Sequence, residues 1–384
     1  MNTGKKSIVS TFHFKPSFVY LYMKPVFVFL LGFFLLSHSL FSLDPHKKIS
    51  QYVHRSWGLE QGLPQVSVNT ISQTREGYLW TGTMEGLVRF DGVRFEIFDK
   101  RNVEQMTHNR ILTIHEGKEE NLWIGTYAGL MRLKDGRFSA YTTEDGLVDD
   151  IIWSVFEDSR GKVWIGTENG LNCLKDDRFI LYTMEQGLSN NIVKVIHEDR
   201  EGRLWIGTDD GLNMMTAGKF TVYKTGDGLS HNTISAVYES RQGSLWVGTE
   251  GGGLNLLKNG KITPFPAQKK FTGDRVRTLV EDRDGNLWIG THGRGLKRMN
   301  DGEVAAVTIK EGFANSIRSL CEDREGNLWI GSYGTGLLCL KDGNVTTFST
   351  KEGLAGDSIF SVYEDRRERL WIGTGGSGLN CMAN

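Results

Sequence analysis

Past about residue 50 the chain falls into short runs of β-branched and aromatic residues that alternate with polar ones and end at Gly, Asp or Asn. One stretch shows the pattern in full. It reads Asn191-Ile192-Val193-Lys194-Val195-Ile196-His197-Glu198-Asp199, a turn at Arg200-Glu201-Gly202-Arg203, then Leu204-Trp205-Ile206-Gly207-Thr208. It continues through Gly211-Leu212-Asn213-Met214-Met215 to Lys219-Phe220-Thr221-Val222-Tyr223. A period of two with turn residues at each break predicts four short antiparallel strands. The phrase Leu-Trp-Ile-Gly-Thr, or a near variant, occurs eight times. Its tryptophans are Trp80, Trp123, Trp164, Trp205, Trp246, Trp288, Trp329 and Trp371. Four strands in about 41 residues is the size of a propeller blade. Helical repeats of that length need apolar residues at i, i+3 and i+4 and few glycines, so they are excluded.

The expected fold is therefore all-β, a β-propeller of four-stranded blades. Eight blades are expected, with a seven-bladed ring plus one extra unit as the alternative. The last unit stops after its third strand, Gly378-Leu379-Asn380-Cys381-Met382, and Val53-His54-Arg55-Ser56-Trp57 near the other end matches an outer strand. Pairing these two would complete an eighth blade and leave no open sheet edge. Each box tryptophan is expected to stack between neighbouring blades. The turn Glu281-Asp282-Arg283-Asp284-Gly285 and its copies read as hairpins in which the Asp accepts backbone N–H bonds and the Gly takes a positive φ. A calcium loop is disfavoured there, because the other copies lack the acid alternation.

The first 43 residues do not share this pattern. Lys5, Lys6, Lys15 and Lys24 precede the apolar run Val26–Leu36, which is followed by Ser37, Ser39 and Ser42. This reads as a signal peptide or N-terminal anchor over 1–43, with the propeller over 44–384 and a periplasmic or secreted location. The 384 residues carry a net charge of −1, with 47 glycines and 10 tryptophans. That charge gives no bulk attraction to nucleic acid, which is not expected as a partner. No Gly-x-Ser-x-Gly elbow, phosphate-binding loop or His-Glu-x-x-His is present, and no cofactor or metal site is expected. Cys173, Cys339 and Cys381 occupy equivalent third-strand positions in different units, too far apart for disulfides, and are expected as buried thiols.

The run Gly77-Tyr78-Leu79-Trp80-Thr81-Gly82-Thr83 through Gly86-Leu87-Val88-Arg89-Phe90-Asp91-Gly92 resembles the two-component regulator propeller repeat. The entry Ser56-Trp57-Gly58-Leu59-Glu60-Gln61-Gly62-Leu63-Pro64 is similar to the start of such sensor domains. The resemblance implies an extracytoplasmic ligand sensor, not an enzyme, whose partner is a membrane-bound histidine kinase or diguanylate cyclase. It implies a small polar ligand, often a saccharide. The sequence shows no kinase or cyclase motif, so output is expected from a separate or missing domain. A structural or adhesion scaffold is the alternative, with a propeller glycan lyase or sialidase behind it.

Function is expected where the copies differ. Units one to four have two residues between box and Gly-Leu, and units five to eight have three. A face carrying these loops and the loops that enter each next unit (Gln65, His108-Asn109, Asp149-Asp150, Asn190-Asn191 and their equivalents) would ring a central opening with polar groups. The same residues are also common turn formers. The expected ligand contacts are Tyr127, Glu168, Asp209, His292, Arg294 and Tyr333, with no catalytic residue.

Overall fold

The computed structural model describes residue 43 and residues 52–266, 270–271, 273–307, 315–342, 350, 353–365 and 369–382. The leader assigned to 1–43 lies outside these residues except for Leu43. That side chain is buried with Tyr52 among Trp288, Leu296, Ile317 and Leu340. No described helix is long and apolar enough to cross a membrane.

All eight repeats form antiparallel sheets, as the box spacing implies. Strand β1 (Val53–Trp57) precedes the first sheet, which contains β2 (Val68–Gln73), β3 (Leu79–Thr83), β4 (Leu87–Phe90) and β5 (Phe95–Phe98) in that order. Five further four-stranded sheets repeat this order in sequence. Each box forms the second strand, and in six of the first seven repeats all five of its residues are buried. A glycine in that strand lets the next blade approach closely. A Cβ on Gly207 would stand 2.6 Å from Cγ2 of Ile234 in the following blade.

The box tryptophans pack between blades as expected. Trp123 lies with Ile152 and Val155 of the next blade, and Trp205 with Ile234 and Val237. The hairpin aspartates act as local braces. Asp199 Oδ1 accepts N–H bonds from Glu201 and Arg203, and its Oδ2 accepts the indole N–H of Trp205 at 2.6 Å. Asp158, Asp282, Asp323 and Asp365 hold Trp164, Trp288, Trp329 and Trp371 in the same way. Gly202 has φ 75° at the turn, which suits glycine.

Ring closure differs from the expected pairing. β1 pairs with Leu337–Lys341, the third strand of the seventh unit, in the register Trp57↔Leu337 to Val53↔Lys341. The ring therefore has seven blades, and the eighth repeat forms a three-stranded sheet, Ile359–Glu364, Leu370–Thr374 and Gly378–Met382, whose strands, among the described residues, pair only with each other. The arrangement is the seven-plus-one alternative. Three contacts make the seventh blade the neighbour of the first. Trp57 meets Phe90 of blade 1 edge-on at 5.5 Å, Gly336 N donates to Val66 O at 2.7 Å, and Ile71 N donates to Ser319 Oγ at 3.0 Å.

A second set of bonds runs round the whole ring. The acid ending each inner strand accepts a backbone N–H from the hairpin of the preceding blade: Arg75 to Glu116, Lys118 to Glu157, Ser159 to Glu198, Arg200 to Glu239, Arg241 to Glu281 and Arg283 to Glu322. The seventh bond closes the circle, from Arg324 N to Gln73 Oε1 at 2.8 Å. Charged acceptors make such bonds stronger than neutral ones.

The cysteines are free. Cys173 and Cys339 are buried opposite Trp164 and Trp329, and burial pushes their thiols up to about 11 and about 12. Cys381 holds the same register opposite Trp371 but is exposed, contrary to the expected burial, because among the described residues no ring blade covers that strand.

Candidate functional site

Every inner strand carries one β-bulge at the same place. In blade 3 the pairing passes from Ile152↔Thr167 to Ser154↔Gly166, leaving Trp153 without an opposite residue. The same shift skips Asn69, Leu112, Lys194, Ser235, Arg277 and Arg318. A bulge re-aims the extra side chain away from the pleat. Here the seven bulge residues, one from each blade, all line one cavity of about 400 Å³ at the centre of the ring. That volume is within the range of small-ligand sites.

A second tier comes from the residue that follows the box. Glu168, Asp209 and His292 line the same cavity. The tiers are bonded to each other. Trp153 Nε1 donates to Glu168 Oε2 at 2.5 Å, Lys194 pairs with Asp209, and Arg277 Nη1 meets Glu250 Oε1 at 2.7 Å. Arg318 lies over the ring of Tyr333 and Arg110 over that of Tyr127, each 4.7 Å from the centroid. His292 Nδ1 hydrogen-bonds Ser316 Oγ at 2.6 Å.

Of the six residues singled out from sequence, Glu168, Asp209 and His292 reach the cavity, Tyr333 lies against the lining residue Arg318, and Tyr127 backs Arg110, which is not itself among the lining residues. Arg294 is placed differently: its Nε pairs with the buried Asp274 at 3.2 Å, and it is not among the cavity-lining residues. The loops entering each blade act mostly as turn braces. Asp149, Asn190 and His231 accept the N–H two residues on, and Asp150, Asn191 and Asn232 cap Thr143, Met184 and Thr225.

The bulge residues went unnoticed because strict alternation assigns them no special direction. Aligning the repeats exposes them. Val-Asn-Thr, Ile-Leu-Thr, Ile-Trp-Ser, Val-Lys-Val, Ile-Ser-Ala, Val-Arg-Thr and Ile-Arg-Ser keep a β-branched first residue while the middle one changes in size and charge.

Charge is divided across the opening. Among the lining residues, blades 3 and 4 bring Glu168, Asp209 and the Lys194 that Asp209 pairs, and blades 6 and 7 bring Arg277 and Arg318; Glu250 and Arg110 are not among them. Burial, then repulsion from Arg277, lowers the Arg318 guanidinium from its ordinary value. Burial and the arginines Arg277, Arg275 and Arg318 also lower His292, which favours its neutral form. Among the described residues no group of three or more His, Cys, Asp or Glu is placed to hold a metal ion.

Comparison with known proteins gives three results. The family model described as "Two component regulator propeller" matches residues 146–169, 187–210, 228–251, 270–293, 311–334 and 353–376. A 75-residue stretch is 36% identical to Histidine kinase P4 of Formosa agariphila, covering 20% of this chain and 5% of that protein. Among solved structures, the extracellular domain of BT3049 from B. thetaiotaomicron, described as belonging to a hybrid two component system, superposes with a TM-score of 0.73 and 26% identity. The match covers 87% of this chain and 48% of that one, so the chain spans about half its length. The virginiamycin B lyase of Staphylococcus aureus shares the fold at a TM-score of 0.61 and 15% identity, over 76% of this chain and 99% of the lyase. With its six matched segments and its ring of like blades, the chain is a β-propeller built from two-component regulator propeller repeats.

Proposed function

We propose that this chain is the extracytoplasmic ligand-sensing propeller of a bacterial signal-transduction system. It binds a small polar molecule, an oligosaccharide in our reading, at the central opening, and it is not itself a catalyst. Occupancy would be passed to a histidine kinase or diguanylate cyclase output. The observation that carries this reading is the ring of seven bulges. Each blade sends a variable inner-strand residue into one cavity, while the β-branched residue before it is kept from blade to blade. A scaffold would gain nothing from that variation. A hydrolase or lyase would need an acid–base pair at reaction distance, and the acids here are engaged by Lys194, Arg277 and the Trp153 indole.

Likeness to the extracellular domain of a hybrid two component system supports a signalling propeller. Calorimetric titration of a panel of neutral and acidic oligosaccharides tests the sensing role. A ligand should bind saturably, and Trp153→Ala should weaken it tenfold or more. A ligand that binds this variant as tightly as wild type would move the site out of the channel.

A further inference from the structure

Of the three cations that line the channel, Lys194, Arg277 and Arg318, the protein pairs two with carboxylates. Lys194 is paired by Asp209, and Arg277 by Glu250. Arg318 and Arg110 have aromatic faces against them and no carboxylate at ion-pair distance among the described residues. Both are half-buried, and the Arg110 Nε is buried without a hydrogen-bond partner. Arg318 is the bulge residue of blade 7 and lines the channel; Arg110 directly precedes the inner strand of blade 2 and, although not among the lining residues, is near enough to add to the repulsion on Arg318. Only blade 1, with the uncharged Asn69 at its bulge, stands between them. Like charges held close and partly out of water are costly unless an anion joins them. Such a group of arginines suits the planar or tetrahedral oxygens of carboxylate and sulfate. The acids across the opening do not relieve it, because their own blades or neighbours hold them.

We infer that the channel ligand is an anion whose carboxylate or sulfate group is held by Arg318, with the charge of Arg110 behind it adding to the attraction. Resting on the sensing role proposed above, this makes the ligand an acidic saccharide, and Trp153 and Glu168 on the wall formed by blade 3 meet its uncharged hydroxyl-bearing part. The two tyrosines that back the arginines fix the direction of the guanidinium groups without neutralising them. His292, held neutral beside Arg318, would act as a hydrogen-bonding group and not as a further charge.

The experiment uses the full chain and four probes: trigalacturonate for carboxylate, a sulfated galactose oligomer for sulfate, maltotriose as the neutral control, and inorganic sulfate. Each is titrated against wild type, Arg318→Gln, Arg110→Gln and the outer-strand control Arg178→Gln. Folding of every variant is checked by its melting profile. At least one oxyanion probe should bind saturably and at least tenfold more tightly than maltotriose, with affinity that falls as salt is raised. Arg318→Gln and Arg110→Gln should each lose tenfold or more, and Arg178→Gln should lose nothing. Maltotriose binding that equals the acidic sugars and ignores Arg318→Gln would overturn the anion assignment while leaving the sensing role intact. Inorganic sulfate binding that depends on Arg318, with no saccharide bound, would uphold the anion site and overturn the saccharide reading. No Arg318-dependent binding by any oxyanion would overturn the inference.

Discussion

The seventh and eighth repeats are near copies in sequence and opposites in environment. Ile317-Arg318-Ser319-Leu320-Cys321 and Ile359-Phe360-Ser361-Val362-Tyr363 form the same inner strand with the same bulge. In the seventh, Ile317 and Leu320 are buried and Trp329 is 8% exposed against blade 1. In the eighth, Phe360 is 83% exposed, Tyr363 66% and Val362 58%. Local sequence is thus enough to set strands, hairpins and the Asp–Trp brace, since Asp365 still holds Trp371 at 3.0 Å. Burial comes from the neighbouring blade. The repeat is a unit of shape, and its stability depends on what lies beside it.

The sharpest way to break this contrast is to open the ring. Deleting residues 53–57 removes the outer strand of blade 7 and the Trp57–Trp329 stack, and should abolish the cooperative melt of the whole ring in calorimetry. Truncation after residue 342, which removes the eighth sheet, should leave that melt within a few degrees of its original midpoint. A ring transition that moves as far in the second variant as in the first would show that the eighth sheet shares in closure.

At single residues, Trp329→Ala should cost about 3–5 kcal/mol in denaturant unfolding, as for other emptied aromatic sites. Trp371→Ala should cost less than about 1 kcal/mol, since its site is already partly open. Equal losses would mean that the eighth sheet is packed as tightly as a ring blade. The box glycines give a smaller difference of the same kind. A Cβ at position 331 would meet Cγ1 of Val68 in blade 1 at 2.8 Å, whereas at position 373 the near atom is Ser361 Oγ of the same sheet. Gly331→Ala is expected to cost about 1–3 kcal/mol through overpacking, and Gly373→Ala well under that.

The smallest expected effect is the dependence on pH. His115, Phe156, His197 and Tyr238 occupy one position on successive inner strands and meet ring to ring between blades, with His115 and Phe156 centroids 5.0 Å apart. Burial lowers both histidines to about 4, and Asp199 only partly offsets this at His197. Because the folded pKa lies below the unfolded value of 6.5, the unfolded chain takes up the protons first as the medium is acidified. The contribution is complete above pH 6.5 and is lost as pH falls toward 4, by about 1 kcal/mol per histidine at pH 5.5. Urea titrations at pH 7.5 and 5.5 should show this in wild type and less in His115→Phe. The eighth repeat has Tyr363 at this position and should contribute nothing to the difference.

What the sequence made legible follows the same division. Box, hairpin and strand order are local, and all eight repeats declare them. Closure was not legible, because Gly336-Leu337-Leu338-Cys339-Leu340 and Gly378-Leu379-Asn380-Cys381-Met382 offer β1 the same edge, and only blade-to-blade packing chooses between them. The site was half legible. Glu168, Asp209 and His292 follow the box, where variation is visible by eye. Trp153, Lys194, Arg277 and Arg318 are displaced by a bulge that a period-two reading conceals. Arg294 lies outside the cavity lining because its partner, Asp274, is brought to it by the loop that enters blade 6.

The pairing of Val53–Trp57 with Leu337–Lys341 also sets the order in which the molecule can be completed. The latch joins residues nearly three hundred apart in sequence, and closing a loop of that length costs on the order of 5 kcal/mol of chain entropy. During synthesis, blade 1 exists long before its partner does, with Val68 and Ile71 uncovered until blade 7 arrives. The chain should therefore pass through an open arc with two sticky ends, a species that binds holdase chaperones and is readily cut by proteases. Once latched, the same long connection works in reverse. Unfolding must release the strand, the tryptophan stack and the Arg324–Gln73 bond together, so the finished ring should open slowly and resist digestion far longer than its equilibrium stability alone would suggest.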